Sequence, residues 1–246
     1  MVAEKQITEF ISRLRTASGK NLQSVILYGS AADGEFHPDF SNVNLLCILG
    51  ETSFGALTAM APAVEWWTRQ KHHAPLVLTR EELERSTDVF SIELLDMQQR
   101  HRVLFGEEDI LSGLHIPMGL HRAQLEYELR EKLILLRERL LLAANNTKRL
   151  WELMLGSLST FTTLFRHGLI ALGDVTPKSK REAVQALAAR IKFDSSAFQQ
   201  LLDIREHKAE TKQFDVKDVF TRYLDAVQQV TVAVDKMLDS TGPRSV

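Results

Sequence analysis

Two runs decide the fold: Leu27-Tyr28-Gly29-Ser30 and, after eleven intervening residues, Asn42-Val43-Asn44-Leu45-Leu46. The first run ends an apolar stretch that begins at Ser24, which is typical of a buried strand. The second run opens another apolar stretch that reaches Leu49. Residues 31–41 between them are polar and include Asp, Gly, His and Pro, as expected of a loop. The sequence therefore predicts a Gly-Ser turn after one strand, facing the start of the next strand.

The rest of the amino half predicts helices and two further strands. A first helix is indicated by apolar residues at helical spacing: Ile7, Phe10, Ile11 and Leu14. Pro62 either kinks a second helix or begins its main part. Residues 74–78 form a short apolar strand, and Thr79 with Glu82 makes a capping box for the helix that follows. The remaining predicted elements are a helix over 91–99 and a strand over 102–105.

The carboxyl half changes to a helical period beyond Pro117. Its first long helix has apolar residues stepping by four and three: Leu125, Leu129, Leu133, Leu136, Leu140 and Ala143. Four more helices follow, with Pro177 predicted in the first turn of the third helix and Asp215 as the cap of the fifth. The pattern predicts an α+β protein with a mixed-sheet domain over residues 1–112 and an α-helical bundle domain over residues 118–240.

The Gly29-Ser30 turn and the strand that starts at Asn42 resemble the signature of the DNA polymerase beta-like nucleotidyltransferase superfamily. In that signature, an apolar-Gly-Ser turn and a loop precede Asp-x-Asp on the next strand. A helical carboxyl half is similar to the architecture of aminoglycoside nucleotidyltransferases. The resemblance implies that Gly29 and Ser30 bind a nucleotide, and that Asn42 and Asn44 occupy the catalytic positions of the family aspartates. It also implies magnesium and a nucleoside triphosphate as cofactors, since those aspartates hold two metal ions.

The chain departs from that signature at the positions that hold the metal ions. Asparagine offers one neutral carbonyl oxygen in place of a carboxylate, so both Asn42 and Asn44 are weak metal ligands. The superfamily usually adds a third acidic residue on a later strand, but residues 74–78 contain none. Carboxylates that could replace these ligands from the loop are Asp33, Glu35 and Asp39. The metal ligands therefore stay unassigned, and we expect a catalytically weak or inactive protein, a pseudoenzyme, that still binds a nucleotide or another small molecule.

Two other functions remain open. The first is an active nucleotidyltransferase that transfers a nucleoside monophosphate from a nucleoside triphosphate to a hydroxyl of a small molecule or a protein. In that case Asn42, Asn44 and one loop carboxylate would bind a single metal ion. The second is a non-enzymatic interaction module whose helical bundle serves as a surface for a homodimer or another partner.

Composition narrows the choice of partner and compartment. Thirty basic and 32 acidic residues give a formal charge of −2, which offers no general attraction for nucleic acid or an anionic membrane. The chain has no basic-then-apolar leader pattern and no apolar run of about 18 residues, so we expect a cytoplasmic protein without a membrane span. The single cysteine, Cys47, excludes an internal disulfide and lies in a strand-like apolar setting, where a core position is expected.

Three short clusters each have a structural and a functional interpretation. His72 and His73 are adjacent and point to different faces, which favours a solvated loop over a metal pair. Trp66 and Trp67 end an amphipathic helix, which favours a core position for at least one of them over stacking on a base. Near Pro177, a small basic cluster could bind phosphate or simply begin a helix: Lys178, Lys180 and Arg181.

Overall fold

The computed structural model describes residues 2–32, 43–175, 177 and 179–239. Contacts between these residues divide the chain into two compact units, Met1–Met118 and Gly119–Val246. The first unit contains a four-stranded mixed sheet with helices, and the second is built from helices. The predicted α+β class is therefore confirmed.

The first unit is organised around its sheet. Its elements are α1 (Val2–Ser18), β1 (Leu22–Tyr28), β2 (Asn44–Leu49), α2 (Phe54–Arg69), β3 (Leu76–Thr79), α3 (Arg80–Arg85), α4 (Ser91–Gln99) and β4 (His101–Phe105). The strand order is β3-β2-β1-β4, with β1 antiparallel to both β2 and β4 and with β2 parallel to β3. The carboxyl end of β1 therefore lies at the same sheet edge as the starts of the other three strands. We call this edge the Gly29 edge; its strand residues are Tyr28, Asn44 and His101.

Side chains alternate between two apolar layers, one on each face of the sheet. On one face, α1 and α2 pack on the strands through a cluster that includes Phe10, Leu14, Val25, Leu45, Cys47 and Trp67. On the other face, α4 and residues 110–116 cover a cluster that includes Ile26, Leu46, Ile48, Leu94 and Leu111. Cys47 is fully buried, as predicted. Both faces are covered, which explains why the strands form nearly continuous apolar runs.

Local signals set the ends of the helices in this unit. The Ser53 hydroxyl accepts a hydrogen bond from the backbone N–H of Ala56 at the start of α2. The predicted capping box of Thr79 and Glu82 is present at the start of α3. Pro62 lies inside α2, which continues through it. The helix loses one backbone hydrogen bond there, while the apolar face that packs on the sheet keeps the two halves together.

The second unit consists of α5 (His121–Ala143), α6 (Thr147–Ala171), α7 (Lys180–Ile191), α8 (Ser196–Arg205) and α9 (Val216–Asp239). Asp215 caps α9 as predicted, since its carboxylate accepts from the N–H of Asp218 at 2.8 Å. The prediction that Pro177 lies in the first turn of α7 is wrong. The hydroxyl of Ser179 accepts from the N–H of Glu182 and caps a helix that begins at Lys180, three residues after Pro177.

The core of the helical unit is rich in aromatic residues. The rings of Phe165, Phe198 and Tyr223 pack one after another in tilted contacts, with centroids 4.8 and 4.7 Å apart. The Tyr223 hydroxyl and the Ser157 hydroxyl are 2.9 Å apart, so the buried phenol has a hydrogen-bond partner.

Across the described part of the chain, no helix combines the length and the apolar character needed to cross a membrane.

Candidate functional site

The turn after β1 is open because its first residue is glycine. Gly29 begins a single 3-10 turn, Gly29–Ala31, with φ of +79°, in the region that favours glycine. Its N–H donates to the carbonyl of Arg100 at 2.9 Å, and its carbonyl accepts from the N–H of Ala32 at 2.9 Å. The turn is thus fixed by backbone contacts in a conformation that favours glycine.

Asn44 lies next to this turn. It is the first residue of β2 and pairs with Tyr28, the last residue of β1. A Cβ atom added to Gly29 would lie 3.4 Å from Nδ2 of Asn44, so the amide and the turn are in van der Waals reach. The backbone of Ser30 belongs to the same turn. The structure therefore brings together two of the predicted site residues, Gly29 and Asn44.

The other predicted site positions cannot be placed in the same way. Asn42 lies outside the described residues, as do the three loop carboxylates: Asp33, Glu35 and Asp39. Strand β3 is next to β2, and neither it nor residues 74 and 75 before it carry an acidic side chain. Within the described ranges, no group of three His, Cys, Asp or Glu side chains is arranged to hold a metal ion. The donor set that the structure shows at the Gly29 edge does not fit a two-metal centre.

A row of three polar side chains crosses the Gly29 edge. Tyr28 pairs with Asn44 on one side and with His101 on the other. Directly paired residues project from the same face of a sheet, so the amide, the phenol and the imidazole share one face. Burial raises the pKa of Tyr28, and the phenol stays protonated at neutral pH. The row offers hydrogen-bonding groups beside the backbone of Gly29.

His101 is held in place by two partners. Its Nε2 lies 2.8 Å from Oδ1 of Asp109, and its Nδ1 lies 3.1 Å from the carbonyl of Gln98. Asp109 also accepts from the Ser112 N–H at 3.1 Å and from its hydroxyl at 2.7 Å. Burial alone would raise the pKa of Asp109, but hydrogen bonds from Ser112 and His101 outweigh it and hold the pKa below its usual value. Asp109 is therefore an ionised residue that fixes the orientation of the imidazole.

Sequence reasoning missed Tyr28, His101 and Asp109 as members of this edge. Tyr28 was interpreted only as a strand residue, and the predicted fourth strand began at Arg102, one residue too late. The signal that brings them together is the pairing of β1 with β4, and the spacing of apolar residues does not determine strand pairing.

The helical unit also contains a buried polar cluster that the sequence did not reveal. It consists of His121 on α5 and Thr162, Arg166 and His167 on α6. The rings of His121 and His167 lie 5.1 Å apart. The sequence did carry a signal for this cluster. Thr162 and Arg166 fall on the same side of α6 as its apolar residues, and a side chain on that side is expected to be buried rather than solvated.

The predicted basic cluster is a charged helix start wherever the structure describes it. The Arg181 guanidinium pairs with Asp203 at 2.8 Å and with Glu206 at 3.0 Å. The Lys180 ammonium donates to the Ser159 hydroxyl at 2.8 Å. Lys178 lies outside the described residues.

Trp67 and His72 are structural. Trp67 is fully buried, which confirms a core position for one of the two tryptophans. The His72 ring stacks on Trp67 with centroids 3.9 Å apart and lies 3.0 Å from Oε1 of Gln6. His73 is exposed, as a solvated loop predicts, but His72 is half-buried. The predicted loop is present, but His72 within it is only partly solvated, because the indole of Trp67 supplies a packing surface that periodicity could not show.

Comparison with known proteins identifies the fold. No protein-family model and no curated protein matches the chain. Among solved structures, the chain is similar to spectinomycin adenyltransferase AAD(9) from Enterococcus faecialis, which was crystallised with ATP and spectinomycin. The TM-score is 0.54 at 15% identity, over 92% of this chain and 99% of that one. At that identity the likeness concerns the fold alone, and the chain has the nucleotidyltransferase fold.

Proposed function

We propose that this protein binds a nucleoside triphosphate, or a related phosphate-bearing small molecule, at the Gly29 edge and transfers nucleotide weakly or not at all. The observation that carries the proposal is the 3.4 Å approach of the Asn44 amide to the position of a Cβ atom on Gly29. An open turn beside a hydrogen-bonding amide suits recognition of phosphate oxygens. In this proposal, residues 1–112 are the nucleotidyltransferase-like domain and residues 118–240 the helical bundle domain.

Each residue of the site has a role in binding. In this proposal the backbone N–H groups of Ser30 and Ala31, in the turn that begins at Gly29, donate to the phosphate oxygens. The Asn44 amide donates to an anionic oxygen without the repulsion that a carboxylate would cause in the absence of metal. Tyr28 and His101 offer further contacts to a ribose or base.

Weak or absent transfer follows from the same substitution. Magnesium, where a nucleotidyltransferase binds it, neutralises the triphosphate and activates the attacking hydroxyl. Asn42 and Asn44 provide only neutral oxygens, so a divalent cation would lose its two strongest protein ligands. The chain's own residues are therefore suited to hold and orient a nucleotide rather than to drive its transfer.

An active enzyme is the competing function, and the structural neighbour favours it. That neighbour is an adenyltransferase whose structure contains ATP and spectinomycin, which suggests a small-molecule acceptor. Activity here would require Asp33, Glu35 or Asp39 to replace the missing metal ligands. Transfer from an alpha-labelled triphosphate, abolished by Asn42→Ala and Glu35→Ala, would support the enzyme and contradict the pseudoenzyme proposal.

Calorimetric titration of the full chain tests binding directly. ATP, GTP, CTP and UTP are titrated with and without magnesium, and we expect at least one to bind below about 1 mM, an affinity of roughly 4 kcal/mol. Gly29→Ala should weaken binding by about tenfold, since it adds a methyl group and strains the turn. Gly19→Ala is the matched control, because Gly19 also has a positive φ (+51°) but lies at the other end of β1 with open space around it. Absence of binding by any nucleotide, or an equal loss in both variants, contradicts the proposal.

A further inference from the structure

A groove lies at one end of the helical unit, between α5, α6 and α9. Its volume is about 240 Å³. Leu150 and Phe220 form a buried floor, and Leu140 and Leu224 line the walls as half-buried side chains. A dry cavity of about 150 Å³ is enough to bind benzene, so the groove has room for a small apolar group.

The groove is long for its volume. Its lining on α9 runs from Lys217 to Asp225, which corresponds to about 12 Å along the helix axis. Pockets for drug-sized molecules usually begin at about 300 Å³. A volume below that, spread along this length, suits a linear chain better than a ring system.

The mouth of the groove carries a row of polar side chains from α9. Lys217, Thr221 and Asp225 are exposed and are spaced four residues apart, so they lie on one side of the helix. The Thr221 hydroxyl donates to the Lys217 carbonyl at 2.8 Å, which leaves its oxygen able to accept a hydrogen bond. The row therefore has a positive end, a polar middle and a negative end.

The two charged ends of this row do not pair with each other. Asp218 of the same helix pairs with Arg222 at 2.6 Å. Among the residues that the structure describes, neither Lys217 nor Asp225 has an ion-pair partner. Each of these two charges is therefore available to a molecule bound in the groove.

We infer that this groove binds a linear apolar molecule with a carboxylate at one end and an ammonium at the other. The carboxylate pairs with Lys217, the ammonium pairs with Asp225, and the apolar chain lies on Leu150 and Phe220. The two opposite charges select this class over a fatty acid or an alkylamine, each of which would leave one of them unpaired. The groove is formed by the second unit alone, so the inference does not depend on nucleotide binding at the Gly29 edge.

NMR titration of the nitrogen-15-labelled full chain with 8-aminooctanoate tests this ligand class. The chain between the charged ends of this probe has an extended length similar to the distance between the two side chains. We expect a dissociation constant of about 1–10 mM, as suits a ligand of about eleven heavy atoms, with shifts at the amides of Thr221 and Leu224. Octanoate and octylamine should each bind about three- to fivefold more weakly, since each loses one exposed ion pair. Equal affinity for either of them, or no binding of 8-aminooctanoate at about 20 mM, overturns the inference.

Reversing the charges tests how the ligand is oriented. Lys217→Asp should weaken binding of 8-aminooctanoate by about fivefold or more, because it places a negative charge beside the carboxylate. The double variant Lys217→Asp, Asp225→Lys should restore binding, since the ligand then binds in the reverse direction. Lys236→Asp, exposed on the same helix but outside the groove, is the matched control and should change nothing. A double variant as weak as the single one overturns the inference.

Filling the groove tests its location. Ala144 is exposed at the mouth, so Ala144→Phe should leave the circular dichroism spectrum unchanged while its ring occupies the apolar space. We expect this variant to lose binding of 8-aminooctanoate. Val232→Phe, at an exposed position of α9 that does not line the groove, is the control and should bind as the parent does. Unchanged binding by the Ala144 variant overturns the assigned site.

Discussion

Single residues set the chemistry of the Gly29 edge. The amide of Asn44 is neutral at every pH, so it places no charge next to the turn. Asp109 is ionised, but its carboxylate oxygens are already hydrogen-bonded with His101 and Ser112, and the carboxylate serves to orient the imidazole. Among the described residues of this edge, a ligand therefore meets hydrogen-bonding groups from Asn44, Tyr28 and His101.

The stacked histidine predicts a pH dependence of stability. Burial, and to a lesser extent the neighbouring His73, lower the pKa of His72 in the folded protein. The unfolded chain therefore takes up the proton first as the pH falls through about 6.5, and the free energy of unfolding decreases below that pH. His72→Phe keeps a ring against Trp67 but cannot titrate. We expect its melting temperature to fall less than that of the parent between pH 7.5 and pH 5.5; a parallel decline in both proteins would contradict this origin.

At the scale of elements, the contact between β4 and β1 depends on Gly106, the residue that follows β4. A Cβ atom at this position would lie 2.8 Å from the Gln23 carbonyl oxygen and 3.1 Å from Oγ of Ser24, and φ is +107°. The close approach lets Ser24 Oγ donate to the Phe105 carbonyl at 3.0 Å. The pairing of β1 and β4, which positions His101, thus depends on a residue without a side chain.

Gly106→Ala should therefore lower the free energy of unfolding by about 1–3 kcal/mol, through the clash and the strained φ. Urea denaturation followed by circular dichroism measures the change. Gly113→Ala is the control, because a Cβ atom there would meet its nearest neighbour at an ordinary 3.8 Å. Equal stability of the Gly106 variant and the parent would show that β4 can shift to admit the methyl group.

Most elements could be predicted because their signals are local. Period, capping residues and apolar runs placed the strands and helices within a few residues, and the capping box of Thr79 and Glu82 needs no tertiary information. The predicted start of the helix at Pro177 is wrong because it rests on the general preference of proline for a first helical turn. In the structure, Ser179 supplies the side-chain acceptor that caps α7. Strand pairing depends on distant contacts, so the alignment of His101 with Tyr28 could not be predicted.

At the scale of the whole molecule, the chain forms two units with separate apolar interiors. Apolar periodicity predicted the change from sheet to helices near Pro117, since the period of the pattern changes there. It could not predict the buried polar cluster around Arg166, because burial of a charged residue depends on the helices packed around it.

At the Gly29 edge, the proposed function makes one claim above all: Asn42 and Asn44 stand where a nucleotidyltransferase would carry its metal-binding carboxylates. The double substitution Asn42→Asp, Asn44→Asp would restore both carboxylates of the family signature, and the proposal expects them to converge on one point. Without metal, their repulsion raises the carboxylate pKa values in the folded state. This lowers the stability above the ordinary carboxyl pKa, by about 1–3 kcal/mol at neutral pH.

The melting temperature of this double variant as a function of manganese concentration is the most direct test. Manganese that binds only the folded form recovers the lost stability through linkage, so we predict a rise in melting temperature at millimolar manganese. The parent protein should respond little. A variant that is folded by circular dichroism but whose melting temperature does not change with manganese would contradict the claim, because its two carboxylates would not converge on a metal site.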